Sequence, residues 1–499
     1  MTDNSEKPIS DDEKKRQRER VERLLLQAPN TSSGSVTLGG RKLDYLATAG
    51  FVPIVTNMSD SHKGEPDAAL FLTSYTLQRK GASPAVGQRP ILFAFNGGPG
   101  SASVWLHLGA LGPKRVRIND DGSMPPPPYA VEDNPHSWFE HFDLVFVDPP
   151  HTGYSLTASE AARKKMLSVD GDVEALAECI RVYLGRVQRW GSPVYLAGES
   201  YGTTRAAALT DKLLDQGIAL AGVILVSCAM DIQTLEFAGK NDLAYALFLP
   251  AFAATAQYHG KLKGTVGASA DQARAAAEAF VQEDYLGALH LGSRLAAPER
   301  RRIAKRVSEL TGLGAVLVED QNLRISDQVF FTELLREESR MVGRLESRVT
   351  GPMGASKSRE WEFDPGIEAI VGPYTMASNA YMREQLGVQT DQRYEILAMD
   401  VHKSWNWLQG DSKGNSYTST SASLARALRR NPHLRVLVAS GYYDLGTPYS
   451  ASDYSLARMD VPAELMTRIT HRYYDAGHMM YTRTEDLKKL KSDVKNWLG

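Results

Sequence analysis

An α/β fold, with a mostly parallel central sheet flanked by helices and a mostly helical insertion, is what the sequence predicts. Three features carry that expectation. PILFAFNGG, DLVFVDPP, VYLAGES and AGVILVSC are short, nearly continuous apolar runs, three of them rich in β-branched residues and the first in aromatics. Runs of this kind suit strands buried on both faces. Helical patterns separate them, and strands alternating with helices imply right-handed crossovers. A long helix-prone stretch then intervenes before strand texture returns near the C-terminus.

Taken in order, the chain opens on SEKPISDDEKKRQRERVERLLLQ, whose charge suits a solvated helix or a disordered arm. SVTLGGRKLDYLATAG and ALFLTSYTLQ alternate as antiparallel strands and hairpins do, with a Gly-Gly turn inside the first. KGASPAVGQRP reads as a loop from its Gly and Pro content. Helices are expected from Val169 to Trp190 and from Tyr201 to Gln216. From about Phe237 to Leu424 the alternation stops, and DQARAAAEAFVQED, PERRRIAKRVSEL and DQVFFTELLREESRMVGRLESRV all favour helix. LRVLVASGYYD and RITHRYYDAGHMMY restore the strands, and EDLKKLKSDVKNWL closes as an amphipathic helix. The simplest division is a charged arm at 1–30, a first core part at 31–236, a helical cap at 237–424 and a second core part at 425–499. The run Pro125 to Pro128 reads as a surface loop.

The 499 residues suffice for a large buried core, and 42% hydrophobic with 23% charged residues is the balance of a soluble globular protein. A net charge of -2 gives no reason to expect nucleic acid or an anionic membrane as partner. The two cysteines, Cys179 and Cys228, are expected to be buried reduced thiols, which argues for a reducing compartment. Met1 to Leu26 holds no apolar h-region, so the location expected from the sequence as written is cytoplasmic; removal of a leader would make it periplasmic or secreted. No run of about eighteen apolar residues predicts a membrane span. A homodimer is left open.

The chemistry concentrates in a few motifs. GESYG, Gly198 to Gly202, fits G-x-S-x-G, with the apolar VYLA before it and the helical YGTTRAAALTDKLLDQG after it. That strand–turn–helix setting is what the nucleophile elbow of an α/β-hydrolase requires. The plainer reading is a Gly-containing turn whose Ser caps a helix. A serine nucleophile needs a general base and an acid to orient it, in the chain order Ser, acid, His. Asp444 and His478 follow Ser200 in that order, each just past an apolar run. Asp475 is the main rival acid, and its closeness in sequence to His478 counts against it. His259, His290, His402, His433 and His471 stand in helical, loop or pre-strand settings and read as structural or exposed.

FNGGPGSASVWLHLGALGP, Phe95 to Pro113, runs from an apolar strand through glycines into a short helix. Backbone N–H groups there can converge on negative charge, as in one half of an oxyanion hole. A phosphate loop is the rival, but neither G-K-[ST] nor G-x-G-x-x-G occurs.

NGGPGSAS, DPPHTGYS, GESYG, the Asp of GYYDLGTP and GHM together resemble the serine carboxypeptidase family, in that family's order, from about Asn96 to Met479. The resemblance implies that Ser200 attacks the scissile carbonyl, His478 carries the proton and Asp444 orients the imidazole. It implies an oxyanion hole from the N–H groups of Gly98 and Tyr201. Asn96, Gly97 and Glu199 fall where the family grips the substrate's C-terminal carboxylate, and Met479 borders the leaving-residue pocket. Glu199 has to be protonated to donate to a carboxylate. In the family a second Glu, fourteen residues after the Asn, shares that proton; here the position is Ala110. His107, one turn earlier, is a candidate auxiliary that would lend a positive charge; the plainer reading is a packed helix histidine. Ser101 and Thr447-Pro448 are smaller departures, and the family's disulfides are absent.

The implied activity is a serine-type carboxypeptidase acting on peptides through an acyl-enzyme, with no cofactor and no metal. The alternatives are an esterase or acyltransferase using the same triad, favoured by the lost Glu, and a non-catalytic binding protein, disfavoured by the intact triad.

Overall fold

The computed structural model describes residues 10–56, 64–78, 89–410 and 416–499. Most of the expected loop KGASPAVGQRP and the first nine residues of the charged arm lie outside them. The rest of the arm is helix α1, Asp11–Leu26, started by a capping box in which Ser10 and Glu13 bond each other's backbone N–H.

Nine strands form the body of one sheet: β1 Asn30–Leu38, β2 Arg41–Ile54, β3 Ala68–Leu77, β4 Ile91–Phe95, β5 Asp143–Val147, β6 Val194–Glu199, β7 Leu220–Val226, β8 Arg435–Gly441 and β9 Ile469–Tyr474. Their order is β1-β2-β3-β5-β4-β6-β7-β8-β9, with the short strand Leu156–Thr157 pairing to β3. From β5 to β9 the neighbours are parallel. The first three strands add an antiparallel edge. The β1–β2 hairpin turns on Gly39 and Gly40, both at positive φ, as a two-residue turn requires.

Alternation along the parallel strands sorts side chains onto two faces. Ile91, Phe93 and Phe95 of β4 pack with Val223 and Leu225 of β7 and Val436 and Val438 of β8. Helices α2, Val169–Arg186, and α3, Tyr201–Asp215, cover that face. Leu92 and Ala94, with Ile224, Val226, Leu437 and Ala439, face the opposite layer. Both faces are dry, which is why these strands read as unbroken apolar runs. The neighbouring layer there includes the closing helix, which buries Leu487, Leu490, Val494 and Trp497 at helical spacing.

Between β7 and β8 the chain is mostly helical and has its own core. Helices α4, Asp242–Tyr258, α5, Ala270–Phe280, and α6, Ala297–Thr311, meet through Phe252, Ala277 and Val307. One expectation fails here. DQVFFTELLREESRMVGRLESRV is α-helical only at Asp327–Glu333, with one 3-10 turn at Arg336–Glu338; Arg340–Val342 then pairs antiparallel with Thr350–Pro352. The loop of that hairpin bonds to both late loops of the core. His478 N donates to the Leu345 carbonyl at 2.6 Å, Leu445 N to Arg344 at 3.0 Å, and Ser347 N to Tyr443 at 3.1 Å. Those long-range bonds outweigh local helix propensity.

Candidate active site

The elbow is built as its glycines allow. Ser200 sits between β6 and α3 at φ 58 and ψ -130, a strained backbone for a residue with a side chain. Its N–H reaches the Val226 carbonyl at 3.0 Å. A Cβ at Gly198 would run into the Gly202 carbonyl, and one at Gly202 would come within 2.7 Å of the Phe95 carbonyl oxygen. Only glycine at both places lets the strand, helix and neighbouring loop close around the serine.

His478 and Asp444 meet in the late loops. His478 Nδ1 lies 2.8 Å from Asp444 Oδ2. Asp444 is fully buried, and its Oδ1 accepts from the N–H groups of Gly446 at 2.7 Å and Thr447 at 2.9 Å. Thr447 Oγ1 donates to Asp444 Oδ2 at 2.7 Å and lies 3.2 Å from His478 Nδ1. Burial disfavours a charged imidazole, but the Asp444 carboxylate and its hydrogen bond outweigh burial and lift the His478 pKa; ionised Glu199 adds to the lift and Arg344 opposes it. The rival acid, Asp475, points away. It pairs with Arg348 and Arg483, and its side chain is 68% exposed.

Ser200 and His478 line one cavity of about 290 Å³, together with Asn96, Gly97, Gly98, Glu199 and Met479. Asn96 Nδ2 donates to Glu199 Oε1 at 2.9 Å, and Asn96 Oδ1 takes the Leu106 N–H at 3.0 Å, so the amide is oriented from both ends. Burial raises the Glu199 pKa to about 7, against the lowering influence of His478, Tyr481 and Asn96. Its other oxygen, Oε2, has no hydrogen-bond partner among the described residues. A neutral carboxyl able to donate is therefore available near neutral pH. The N–H groups of Gly98 and Tyr201 take no backbone acceptor among the described residues. Gly97 lies flat against the Tyr201 nitrogen, where a Cβ would collide.

His107 does not take the auxiliary role. It is fully buried, stacked on Phe146 at 4.3 Å between ring centres, with Nε2 2.7 Å from Tyr75 Oη. Burial lowers its pKa to about 3, so it is neutral and lends no charge. It opens a turn in which Gly112 N bonds the His107 carbonyl five residues back. Around this turn stand the hydroxyls of Tyr374 and Tyr481, both buried and without a directed partner among the described residues. A Cβ at Gly109, beside Ala110, would lie 2.5 Å from Tyr374 Oη. Tyrosines thus crowd the turn that presents Ala110.

Other contributors were not singled out in the sequence. Arg205 and Asp172 form a buried ion pair at 2.5 Å, and Arg205 also holds the Asn96 carbonyl. Asp148, of DPPHTGYS, takes the Ser103 N–H at 2.9 Å and the Tyr394 hydroxyl at 3.1 Å. His402, set aside as structural or exposed, lines the Ser200 cavity, as does Arg344. No residue type or spacing announced either one; only the long insertion brings them here. No group of three or more His, Cys, Asp or Glu suited to a metal occurs among the described residues.

Sheet, elbow and Ser–Asp–His chain order together define an α/β hydrolase. The family model of the serine carboxypeptidases matches residues 57–238 of the chain. The chain is 32% identical over 138 residues to the pheromone-processing carboxypeptidase kex1 of Sclerotinia sclerotiorum, covering 26% of this chain and 19% of that protein. It is 29% identical over 203 residues to the corresponding protein of Komagataella phaffii, covering 38% and 30%. To serine carboxypeptidase-like 7 of Arabidopsis thaliana it is 30% identical over 127 residues, covering 25% and 28%. The matched segments thus span less than a third of these relatives. The crystal structure of Kex1(delta)p, a prohormone-processing carboxypeptidase from Saccharomyces cerevisiae, shares the fold over 91% of both chains, at 15% identity and a TM-score of 0.56. No helix among the described residues is long and apolar enough to cross a membrane.

Proposed function

We propose that the chain is a serine-type carboxypeptidase that releases C-terminal residues from peptides, with Ser200 as nucleophile, His478 as general base and Asp444 as its orienting acid. One observation carries the exopeptidase reading: Asn96 and a buried Glu199, protonated up to about pH 7, share the Ser200 cavity. A neutral carboxyl and an amide suit a terminal carboxylate, which an internal peptide bond does not offer. His478 takes the serine proton as Oγ attacks the scissile carbonyl and returns it to the leaving amine; water then releases the acyl group by the same relay. The developing oxyanion is assigned to the N–H groups of Gly98 and Tyr201. We also propose a reducing compartment, supported by Cys179 and Cys228, both buried and unpaired.

The test compares a blocked dipeptide with its C-terminal amide from pH 4 to 9, using the native protein and Ser200→Ala. Release from the free acid alone, lost in Ser200→Ala, is expected. Turnover of amides or esters with the free acid ignored would leave a serine hydrolase of the esterase kind, the reading that Ala110 favours.

A further inference from the structure

Arg344 is a cation at the cleft whose backbone is held and whose guanidinium has no hydrogen-bond partner among the described residues. Its backbone is tied at both ends: its N–H donates to Asp364 Oδ1 at 3.0 Å, and its carbonyl accepts from Leu445 N at 3.0 Å. Its side chain lines the 290 Å³ cavity of Ser200, His478 and Glu199. It also lines the adjoining cavity of about 550 Å³, which Ser200 shares with Gly98 and Tyr201. Its Cζ lies 3.4 Å from where a Cβ at Gly446 would stand, so the guanidinium rests over the loop that carries Asp444. It therefore sits where the two lobes of the cleft meet at the nucleophile.

No carboxylate among the described residues forms an ion pair with this guanidinium. The nearby acids are committed or too far. Asp364 feels the charge of Arg344, but its oxygens accept the N–H groups of Arg344, Leu345 and Gly366 and it forms no ion pair with the guanidinium. Asp444 is filled by Gly446, Thr447 and His478. Asp327 feels the charge of Arg344 without forming an ion pair with it, and Glu236 lines the larger lobe, likewise without one. A peptide entering the cleft would strip water from a five-donor fork that has no protein acceptor. Such desolvation is costly unless the ligand brings an acceptor, and a carboxylate fits the fork best.

We propose that Arg344 receives a carboxylate of the substrate: either the C-terminal carboxylate of the leaving residue or an acidic side chain beside the scissile bond. The inference deepens the carboxypeptidase reading and rests on it for the nature of the substrate. It gives the site a positive charge that neither Glu199 nor the neutral His107 provides.

Binding to catalytically silent protein separates the two ideas. Dissociation constants of blocked Phe-Leu free acid, blocked Phe-Leu amide and blocked Phe-Glu amide are measured by calorimetry on Ser200→Ala, and again with Arg344→Gln added. The free acid is expected to weaken by about 10- to 100-fold if Arg344 reads the C-terminus, and Phe-Glu amide by as much if it reads a side chain. Phe-Leu amide stays within about twofold in either case. Arg344→Lys keeps the charge without the fork and is expected to recover part of the loss; it serves alone if Arg344→Gln does not fold. Equal weakening of all three ligands, no weakening, or no binding of any of them overturns the inference. Free-acid cleavage by the native protein with binding indifferent to Arg344 would keep the carboxypeptidase and discard the arginine. Arg344-dependent carboxylate binding without peptide cleavage would do the reverse.

Discussion

Single residues at the cleft differ sharply in how far the sequence announces them. Ser200, Asp444 and His478 were legible because each stands at a strand end inside a local motif, and fold topology does the rest. Asn96 and Glu199 came by resemblance, and their 2.9 Å bond gives the pairing a physical basis. Ala110 leaves the position of the family's second Glu without a carboxyl, and His107 does not replace its charge: it is the packed histidine of the plainer reading, stacked on Phe146 and uncharged. Arg344 and His402 were illegible, since a lone Arg or His in a helix-rich insertion carries no signal until the chain folds back. Glu199 gives the residue-scale prediction. With its pKa raised to about 7, it is protonated and able to donate below that pH and charged above it. kcat/KM for a free-acid peptide should therefore fall as pH rises through about 7, while the matching ester shows no such fall. Glu199→Gln should abolish the fall. The same change removes a negative charge that supports the His478 imidazolium, so the acid limb of the profile should move to lower pH. A fall above neutrality that survives Glu199→Gln would show that another group controls it.

At the scale of elements, the hairpin spanning 340–352 matters most, and its sequence misleads. Leucines, glutamates and arginines at close spacing favour helix, whereas the chain extends because its loop satisfies backbone groups of two core loops at once. Strand–turn–helix units such as β6, Ser200 and α3 are the opposite case, where pattern, glycines and tertiary context agree. The hairpin braces the catalytic base. Glu346 Oε2 accepts the Gly477 N–H at 2.9 Å, Arg348 grips the same carboxylate at 2.6 Å, and Gly477 immediately precedes His478. Glu346→Ala should free that loop and reduce kcat with an ester substrate by about tenfold or more, since displacement of a reacting group by an ångström costs about a hundredfold. Glu346→Gln keeps an acceptor for Gly477 and should retain more of the rate than Glu346→Ala. Equal kcat in all three proteins would show that the hairpin does not position His478.

Across the whole molecule, catalytic geometry and bulk stability reside in different places. The apolar runs made a parallel sheet legible, and the strand order β5-β4-β6-β7 puts Asn96 and Ser200, which follow adjacent strands, at one sheet edge. That order was not legible from hydropathy, because crossover partners are chosen by packing between distant segments. Behind the sheet, helix α7, Thr484–Leu498, lies away from both lobes of the cleft. Its Trp497 abuts Gly222, where a Cβ would come within 2.5 Å of the indole, and Arg435 Nη1 bonds the Trp497 carbonyl at 2.7 Å. Leu490 is fully buried in the same cluster as Tyr474 and Ile224. Leu490→Ala should cost about 2–5 kcal/mol, seen as a lower urea midpoint with an unchanged slope. At 25 °C the folded variant should hydrolyse an ester at the native kcat, because no residue of the helix lines either lobe of the cleft. A loss of kcat in a variant still fully folded would mean that the strain at Ser200 depends on packing behind the sheet, and that stability and catalysis are coupled through it.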